Sequence, residues 1–313
     1  MHTDMFHEPN DQLDWNESFY FNAYDRVHDL CLFMRIGHKP NRQEKSMFCY
    51  VMLPDGTFMG LRGEERLGHR DLSVQGLSFE AIEPERTWSL SFDGQMDHVT
   101  TKGPLKAEVF FSLTFEGLHD IYDYRRSVAD AEKERLSQVA ASEHLEQFGS
   151  VKGAIAIDGK TYTLDALGER DHSWGVRDWN APRMWVWLTG AFSPAEAFNV
   201  TKLYVDGGVV DAGFFHEAAK TRALTAVGIN IAYGDTGTPA SFDLALTDED
   251  GTIRPLHARV MRHVAMPFMS PDGSRTSVMY ETLAEYSYGT KRGYGIAEFL
   301  IRAKAGNSPA EGT

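Results

Sequence analysis

Six Asp-Gly dipeptides separate short segments in which apolar and polar residues alternate. The dipeptides begin at Asp55, Asp93, Asp158, Asp206, Asp250 and Asp272. Asp-Gly favours tight hairpins, because both central residues of a type I′ turn need a positive φ angle. The intervening segments, such as 47–53, are rich in aromatic and aliphatic residues and have strand length. The pattern therefore predicts antiparallel β-meanders and argues against a βαβ fold.

The chain length and one interruption of the strand pattern predict two domains. The chain has 313 residues, more than one average core usually fills. Between Ser127 and Phe148 it is rich in Ala, Glu, Leu and Gln and lacks Gly and Pro, with a narrow apolar stripe, which predicts a helix. A new hairpin pattern follows. We predict an N-terminal β-domain at 1–148 that ends in this linker helix, and a C-terminal β-domain at 149–313.

Two β-rich halves of this size favour closed barrels or sandwiches, because closure removes exposed sheet edges. An eight-stranded barrel is just wide enough to hold one small ligand. The expected fold class is all-β, with two tandem antiparallel barrel or sandwich domains and a connecting helix.

The charge balance bears on partners and location. There are 31 Lys and Arg against 45 Asp and Glu, a net charge of −14, which disfavours nucleic acid and anionic lipid and favours neutral or cationic partners. Two cysteines, Cys31 and Cys49, cannot form a disulfide framework. The first residues lack a basic start and an apolar run, and no 18 apolar residues occur together. We therefore expect no membrane span, no secretory signal and a cytoplasmic location.

The common cofactor and metal motifs are missing from the sequence. It has no G-x-x-x-x-G-K-[ST] loop, no G-x-G-x-x-G after a strand, no G-x-S-x-G elbow and no H-E-x-x-H helix. The 12 histidines are spread singly. Single histidines are more often structural than metal-binding. We expect neither a cofactor nor a metal.

The densest polar cluster lies at 168–179, between two predicted strands. In an extended chain His172 and Trp174 share one face, and Asp171 and Ser173 share the other. A histidine beside carboxylates and indole rings could form a titratable site within an aromatic enclosure. Alternatively, the arginines and acids of this segment pair with one another and fix a loop between strands.

A second cluster lies at 198–206. In a strand its residues Lys202, Tyr204 and Asp206 share one face, which forms either a polar patch inside a barrel or a wet outer face. In the first half, 16–20 holds polar residues close to a strand end, where such residues are more often turn formers than ligands.

The Asp171–Gly175 element (Asp-His-Ser-Trp-Gly), preceded by a V-x-G-x-I-x-x-D-G hairpin at 151–159, resembles the central motif of the hydroxyneurosporene synthase (carotenoid hydratase) and AttH-like superfamily. Flanking segments are similar to a largely uncharacterised bacterial branch of it: 16–21, 35–41 and 293–298. The resemblance covers residues 16–299. It implies two lipocalin-like β-domains in tandem.

In the hydratases of that superfamily, the implicated residues are a His and a Trp of this motif and a Tyr-x-Asp pair downstream. Through the resemblance they correspond to His172, Trp174, Tyr204 and Asp206. The sequence departs from the hydratases in the Arg-Asp-Trp extension at 177–179.

The resulting hypothesis is a cofactor-independent lyase of hydratase or dehydratase type, acting on a hydrophobic isoprenoid or aromatic small molecule. Asp206 or Asp171 would protonate the alkene, and His172 would orient or deprotonate the attacking water. Trp174 and Tyr204 would stabilise the carbocation through their ring faces, by about 2 kcal/mol.

Three further tryptophans complete the expected substrate-binding set: Trp179, Trp185 and Trp187. Two alternatives remain open, a retro-aldol lyase or isomerase that uses the same pocket and a non-catalytic carrier of a hydrophobic ligand. A homodimer is also left open.

Overall fold

The computed structural model describes residues 4–100, 103–128, 131–137, 143–176, 178–270 and 273–302. They form almost entirely antiparallel strands, so the all-β class is confirmed. The chain folds as two compact units. The first comprises Met1–Asp123 and Glu143–Val176, and the second comprises Tyr124–Ser142 and Arg177–Thr313.

The first unit contains eleven strands within its described residues and a 3₁₀ helix at Pro40–Arg42. The strands are β1 (Trp15–Asp25), β2 (Leu30–Lys39), β3 (Glu44–Met52), β4 (Phe58–Arg66), β5 (Ser73–Val74), β6 (Leu77–Glu83), β7 (Thr87–Thr100), β8 (Gly103–Gly117), β9 (Tyr122–Asp123), β10 (Glu143–Ile157) and β11 (Lys160–Val176). Their order in the sheet is β4-β3-β2-β1-β11-β10-β8-β7-β6-β5, with β9 beside β10. Because β4 also pairs with β7, eight of these strands run in a closed circuit.

The second unit contains a 3₁₀ helix at Tyr124–Arg126, a short α-helix and a closed eight-stranded barrel. Its elements are α1 (Ala131–Ser137), β12 (Met184–Ser193), β13 (Glu196–Val205), β14 (Gly208–Glu217), β15 (Lys220–Tyr233), β16 (Pro239–Asp248), β17 (Ile253–Met269), β18 (Thr276–Tyr288) and β19 (Lys291–Arg302). Within the described residues no helix has the length and apolar character that a membrane crossing requires.

Each barrel has its own aromatic core. Alternate side chains along each strand point inward, so every second residue enters the interior. Large buried rings of the first core are Phe19, Phe21, Trp88, Phe111 and Phe115. Those of the second are Phe198, Phe215, Phe242, Tyr286 and Phe299.

The predicted helix at 127–148 is wrong over its last part. The structure has a helix only at Ala131–Ser137, and Glu143 already begins β10. Residues 129–130 and 138–142 lie outside the described residues. Glu143–Phe148 has good helix formers, but each of these residues pairs with β11, and sheet pairing in the barrel outweighs a weak local propensity.

The division of the chain also differs from a boundary at residue 148. The first unit continues to Val176, because the hairpin of β10 and β11 pairs with β8 on one side and with β1 on the other. The segment Tyr124–Ser142, which precedes the hairpin, belongs to the second unit. The chain therefore passes to the second unit, returns for one hairpin, and leaves again.

The Asp-Gly pairs mostly form the expected hairpins. Those at Asp55, Asp158, Asp206 and Asp250 join consecutive strands. Asp158 and its following glycine have φ angles of 48° and 81°, as a type I′ turn requires. The pair at Asp93 instead lies inside β7, and Asp272 lies outside the described residues.

Candidate functional site

The Asp-His-Ser-Trp-Gly motif lies near the C-terminal end of β11. Leu164 and Ala166 of the same strand belong to the core of the first barrel. Since side chains alternate along a strand, His172 and Trp174 share this inward face and Asp171 takes the opposite face. The motif therefore places an imidazole and an indole at one end of the barrel interior.

His172 is enclosed by aromatic rings and one carboxylate. Its ring stacks on Phe19, with 3.9 Å between ring centroids, and the ring of Trp174 lies 5.0 Å away. Its Nε2 atom is 3.0 Å from Oε1 of Glu17, and both residues are at most 1% exposed. In this pair Nε2 is the donor and the carboxylate oxygen of Glu17 is the acceptor. This hydrogen bond selects the tautomer and the orientation of the imidazole.

Glu17 lies on β1 and accepts several further hydrogen bonds. The backbone N–H of His7 lies 3.0 and 3.1 Å from its two carboxylate oxygens, and Nδ1 of His7 lies 2.7 Å from Oε1. Nη2 of Arg70 lies 3.5 Å from Oε2. These donors offset the desolvation of a buried carboxylate, because hydrogen bonds to a charged acceptor are strong. Glu17 is therefore the acid of this site.

Residues 4–14, which precede β1, cover this end of the first barrel. The ring of His7 stacks on Trp174 with 3.6 Å between centroids and 10° between planes. Phe6 packs against the core and stacks on His38 at 4.8 Å. One face of the Trp174 indole is thus occupied by another aromatic ring.

His38 is a further buried histidine at this end. It lies on β2, opposite Glu17 in the strand register, and is 1% exposed. Burial lowers the pKa of His38 to about 4, although the carboxylates of Glu17 and Asp71 act in the opposite direction. His38 is therefore neutral at physiological pH and adds no positive charge near Glu17.

Arg170 precedes His172 by two residues and points to the same face. It is 3% exposed, its Nε donates to Oε1 of Gln147 at 2.7 Å, and its Nη1 donates to Oδ1 of Asp4 at 2.7 Å. The guanidinium also lies 5.5 Å from the ring centroid of Trp88. Burial lowers the pKa of Arg170, but a guanidinium stays protonated in proteins. The barrel end therefore contains a buried cation beside the histidine–carboxylate pair.

Asp171 takes part in a different cluster. Its carboxylate makes a short hydrogen bond with Nε2 of His144, which lies 3.8 Å from Oε1 of Glu146. His144 and Glu146 are buried, and the side chain of Asp171 is 13% exposed. The acid of the sequence motif thus faces away from His172 and pairs with another histidine.

The described residues contain two clusters of three potential metal ligands. Within each cluster the ligand atoms lie within 4.8 Å of one another. One cluster is His7, Glu17 and His172, and the other is His144, Glu146 and Asp171. Both offer ligand types that transition metals accept. In the first group the guanidinium of Arg70 lies 3.5 Å from Glu17, and such a cation repels a divalent ion. The contacts of this group favour acid–base chemistry over metal binding.

The Tyr-x-Asp pair lies in the second unit. Tyr204 is on β13, where burial, with a smaller effect from Asp211, raises its pKa, and Nζ of Lys202 lies 5.5 Å from its ring centroid. Asp206 lies in the hairpin after β13, with its side chain 83% exposed and 3.8 Å from Nε of Arg183. One member is thus partly buried, and the other is a surface carboxylate.

The three remaining candidate tryptophans also lie in the second unit. Trp185 and Trp187 are buried on β12 and alternate with the core residue Val186, so they point away from the barrel core. Trp179 stacks on Trp185 at 6.1 Å and on Phe268 at 5.3 Å.

Sequence reasoning missed Glu17, His7 and Arg170 as members of one site. The polar residues at 16–20 were interpreted as turn formers close to a strand end, whereas they lie within β1. A signal was present, because Glu17 lies two residues before Phe19 and hence on the same face of a strand. Its partner His172 is 155 residues away, so no local spacing joins the two.

These features define an all-β protein with two lipocalin-like domains in tandem and a buried histidine–carboxylate pair in the first. An AttH-like protein from Nitrosomonas europaea has a similar structure, with a TM-score of 0.61 and 12% identity over 91% of this chain and 92% of that one. Kievitone hydratase from Nectria haematococca gives 0.59 and 11% over 91% and 88%. CghA, solved with Sch210972, gives 0.60 and 10% over 96% and 94%.

The chain belongs to the family described as "Domain of unknown function (DUF7064)", whose model matches residues 1–303. No protein of curated function has a sequence that matches it. At 10–12% identity the three structural neighbours show a shared fold and no more. The expected fold of two tandem lipocalin-like β-domains is confirmed.

Proposed function

We propose that the first barrel holds the active site of a lyase of hydratase or dehydratase type, which acts without a cofactor on a hydrophobic isoprenoid or aromatic small molecule. The observation that carries the proposal is the buried hydrogen bond between His172 and Glu17, at 3.0 Å, enclosed by the rings of Phe19 and Trp174. An imidazole oriented by a carboxylate in apolar surroundings is suited to move protons on a substrate that has few polar groups.

The imidazole of His172 serves both proton transfers in turn. In dehydration, the imidazolium of His172 gives its proton to the hydroxyl group, the carbon–oxygen bond breaks, and water leaves a carbocation behind. The neutral imidazole then takes a proton from the neighbouring carbon, and the double bond forms. Hydration follows the same steps in reverse. Glu17 stabilises the imidazolium before the first transfer and after the second, and acid–base groups of this kind contribute about 10²–10⁴-fold.

Aromatic faces stabilise the positive charge that develops on carbon. The ring centroids of Trp174 and Phe19 lie 5.0 and 3.9 Å from that of the His172 imidazole. A cation over a desolvated indole gains about 2 kcal/mol. The rings also exclude water from the carbocation, which favours one defined product.

In this proposal His172 makes the proton transfer that the sequence analysis assigned to Asp206 or Asp171, and Glu17 is the carboxylate that orients its imidazole. Asp171 faces the other side of β11 and pairs with His144, and Asp206 is an exposed carboxylate of the second unit. The role of Trp174 is unchanged.

The names of two structural neighbours are consistent with this proposal. One of them is named a hydratase, and another was solved with a small molecule, Sch210972. Both observations concern those proteins, and they favour a small-molecule enzyme in the same fold.

The test is a screen for the gain or loss of water. The protein is incubated in ¹⁸O-labelled water with hydrophobic aromatic and isoprenoid alkenes and alcohols, and the products are followed by mass spectrometry. We expect His172→Gln and Glu17→Gln to lower turnover by at least about 100-fold. His257→Gln is the matched control, because His257 also pairs with a carboxylate, Asp243 at 2.8 Å, but on the surface. Full turnover by either site variant would refute the assigned roles.

The same screen separates the alternatives. A retro-aldol lyase would release a carbonyl fragment, and an isomerase would convert its substrate without a change of mass. A carrier would bind one compound and return it unaltered, which the enclosed interior of an eight-stranded barrel permits.

A further inference from the structure

Residues 4–7 occupy the end of the first barrel that a substrate of His172 has to reach. The carboxylate of Asp4 binds the guanidinium of Arg170 at 2.7 Å, and the ring of His7 stacks on Trp174 at 3.6 Å. The backbone N–H of His7 also donates to the catalytic carboxylate. A substrate ring can lie on the indole face that His7 covers only if this segment moves.

The contacts of this segment allow its first residues to leave separately. In the described part of the chain, residues 4–14 join no strand. Nδ2 of Asn41 donates to the carbonyls of Asn10 and Gln12, at 2.6 and 2.7 Å, and so anchors the downstream end. Residues 4–7 are held by contacts that each use one side chain. The side chain of Arg70 donates to the carbonyl of His7, and the backbone N–H of Glu85 donates to the side chain of Asp4. These contacts of Asn41 would hold residues 10–12 in place if residues 4–7 moved away.

Arg170 restricts what can replace the segment. Its side chain is 3% exposed, so departure of Asp4 alone would leave a buried guanidinium without its paired anion, which is strongly unfavourable. Its Nη2 is also buried and has no hydrogen-bond partner among the described residues. A carboxylate that engaged Nη1 and Nη2 together would satisfy both atoms in the bidentate geometry that arginine favours. The replacing molecule therefore has to carry an anion.

We propose that residues 4–7 are an internal stand-in for the substrate, and that the substrate is an aromatic carboxylic acid whose carboxylate binds Arg170 and whose ring stacks on Trp174. This assignment rests on the proposed function for the identity of the active site. The Cα atoms of Asp4 and His7 are at most about 11 Å apart, because consecutive Cα atoms are 3.8 Å apart. A linker of a few atoms thus joins ring and carboxylate. Within the substrate class of the proposed function, this inference favours aromatic acids over neutral isoprenoids, which lack the anion.

The net charge of −14 does not oppose this ligand inside the barrel. Fields of surface charges are screened over about 8 Å at physiological salt, whereas a buried ion pair is screened much less. The local cations, Arg170 and Arg70, lie at the site itself. The preference for neutral or cationic partners, inferred from composition, applies to the outer surface of the protein. Ligand binding inside the barrel depends on the charges at the site.

The experiment is calorimetric titration of the full chain with phenylpropanoate, phenylbutanoate, phenylhexanoate and the primary amide of each. We expect the wild type to bind at least one acid more tightly than its amide. Asp4→Asn removes the internal competitor, so we expect it to bind that acid about tenfold more tightly, with little change for the amide. Asp14→Asn is the matched control, since Asp14 of the same segment pairs with Arg42 at 2.9 Å near the surface, and it leaves both affinities unchanged.

A double variant keeps the test decisive if a single variant is unstable. Asp4→Asn combined with Arg170→Gln removes both buried charges, so no unpaired ion remains, and it loses the preference for acid over amide. Equal binding of acid and amide by Asp4→Asn, weaker binding of the acid, or no binding of any acid overturns the proposal. Because binding is measured without turnover, tight acid binding with no exchange of water in any compound would refute the lyase and leave the ligand assignment standing.

Discussion

Replacing Glu17 by Gln should reveal how strongly the first barrel depends on one buried carboxylate. Gln retains the size of the side chain and removes its charge. Glu17 accepts from Nδ1 of His7 at 2.7 Å, from Nε2 of His172 at 3.0 Å and from the backbone N–H of His7. A hydrogen bond to a charged group is worth about 1 kcal/mol more than a neutral one. Three such bonds give an expected loss of about 3 kcal/mol in the free energy of unfolding.

Urea denaturation followed by circular dichroism measures this loss, and hydrogen exchange of peptides from β1 and β11 assigns it to the first barrel. The matched control is Asp243→Asn, which removes a carboxylate from an exposed pair with His257 at 2.8 Å. Exposed pairs contribute about 0–1 kcal/mol, so the control should change little. If Glu17→Gln and the control have the same small effect, the reasoning about buried donors at Glu17 is refuted.

Two further predictions concern the second barrel. Burial would raise the pKa of Asp248, but the side chain of Arg254 and backbone donors lower it overall. Ionised Asp248 therefore stabilises the fold above pH 3.8, the ordinary pKa of an aspartate, and this stabilisation is lost as the pH falls towards the lowered pKa of the folded state. Asp248→Asn should weaken the loss of stability at acid pH, measured as the free energy of unfolding between pH 2 and 6. An unchanged loss of stability would contradict the assignment. Gly213→Ala should cost more than about 2 kcal/mol, because φ is +127° and a Cβ would lie 2.1 Å from the carbonyl oxygen of Asn199. A melting temperature within a degree or two of the wild type would show that the backbone relaxes.

The strands were predictable because alternation is a local property. A strand with one buried face shows the pattern in its own sequence, and the Asp-Gly pair at Asp158 marks its turn with the φ angles that the dipeptide favours. The pair at Asp93 shows the limit of this signal. It lies inside β7 and pairs with Phe110 of β8, because long neighbouring strands extend the sheet through a sequence that would form a turn by itself.

The helix prediction failed for a related reason. Residues 143–148 have helix-forming composition, yet Leu145 pairs with His172 and Glu146 with Asp171 in the sheet. Helix propensities differ by less than about 1 kcal/mol per residue, so the strand hydrogen bonds and burial in a barrel wall outweigh them. Local composition does not show that the chain returns from the second unit to add β10 to the sheet of the first.

The sequence by itself determined that His172 and Trp174 share one face of a strand, because side-chain parity depends on a single extended segment. It also identified the segment 168–179 as the densest cluster of polar residues. Their placement against the core of the first barrel, together with Glu17, was decided by the register of β1 against β11.

Only the tertiary structure decided which acid meets His172 and what covers Trp174. The partners Glu17 and Asp4 lie 155 and 166 residues from the side chains that they bind. Contacts at such separation depend on how the barrel closes and on which charges must be paired once water is removed. The energies of these contacts depend on the low-dielectric interior of the folded barrel, so they cannot be predicted from residue spacing along the chain.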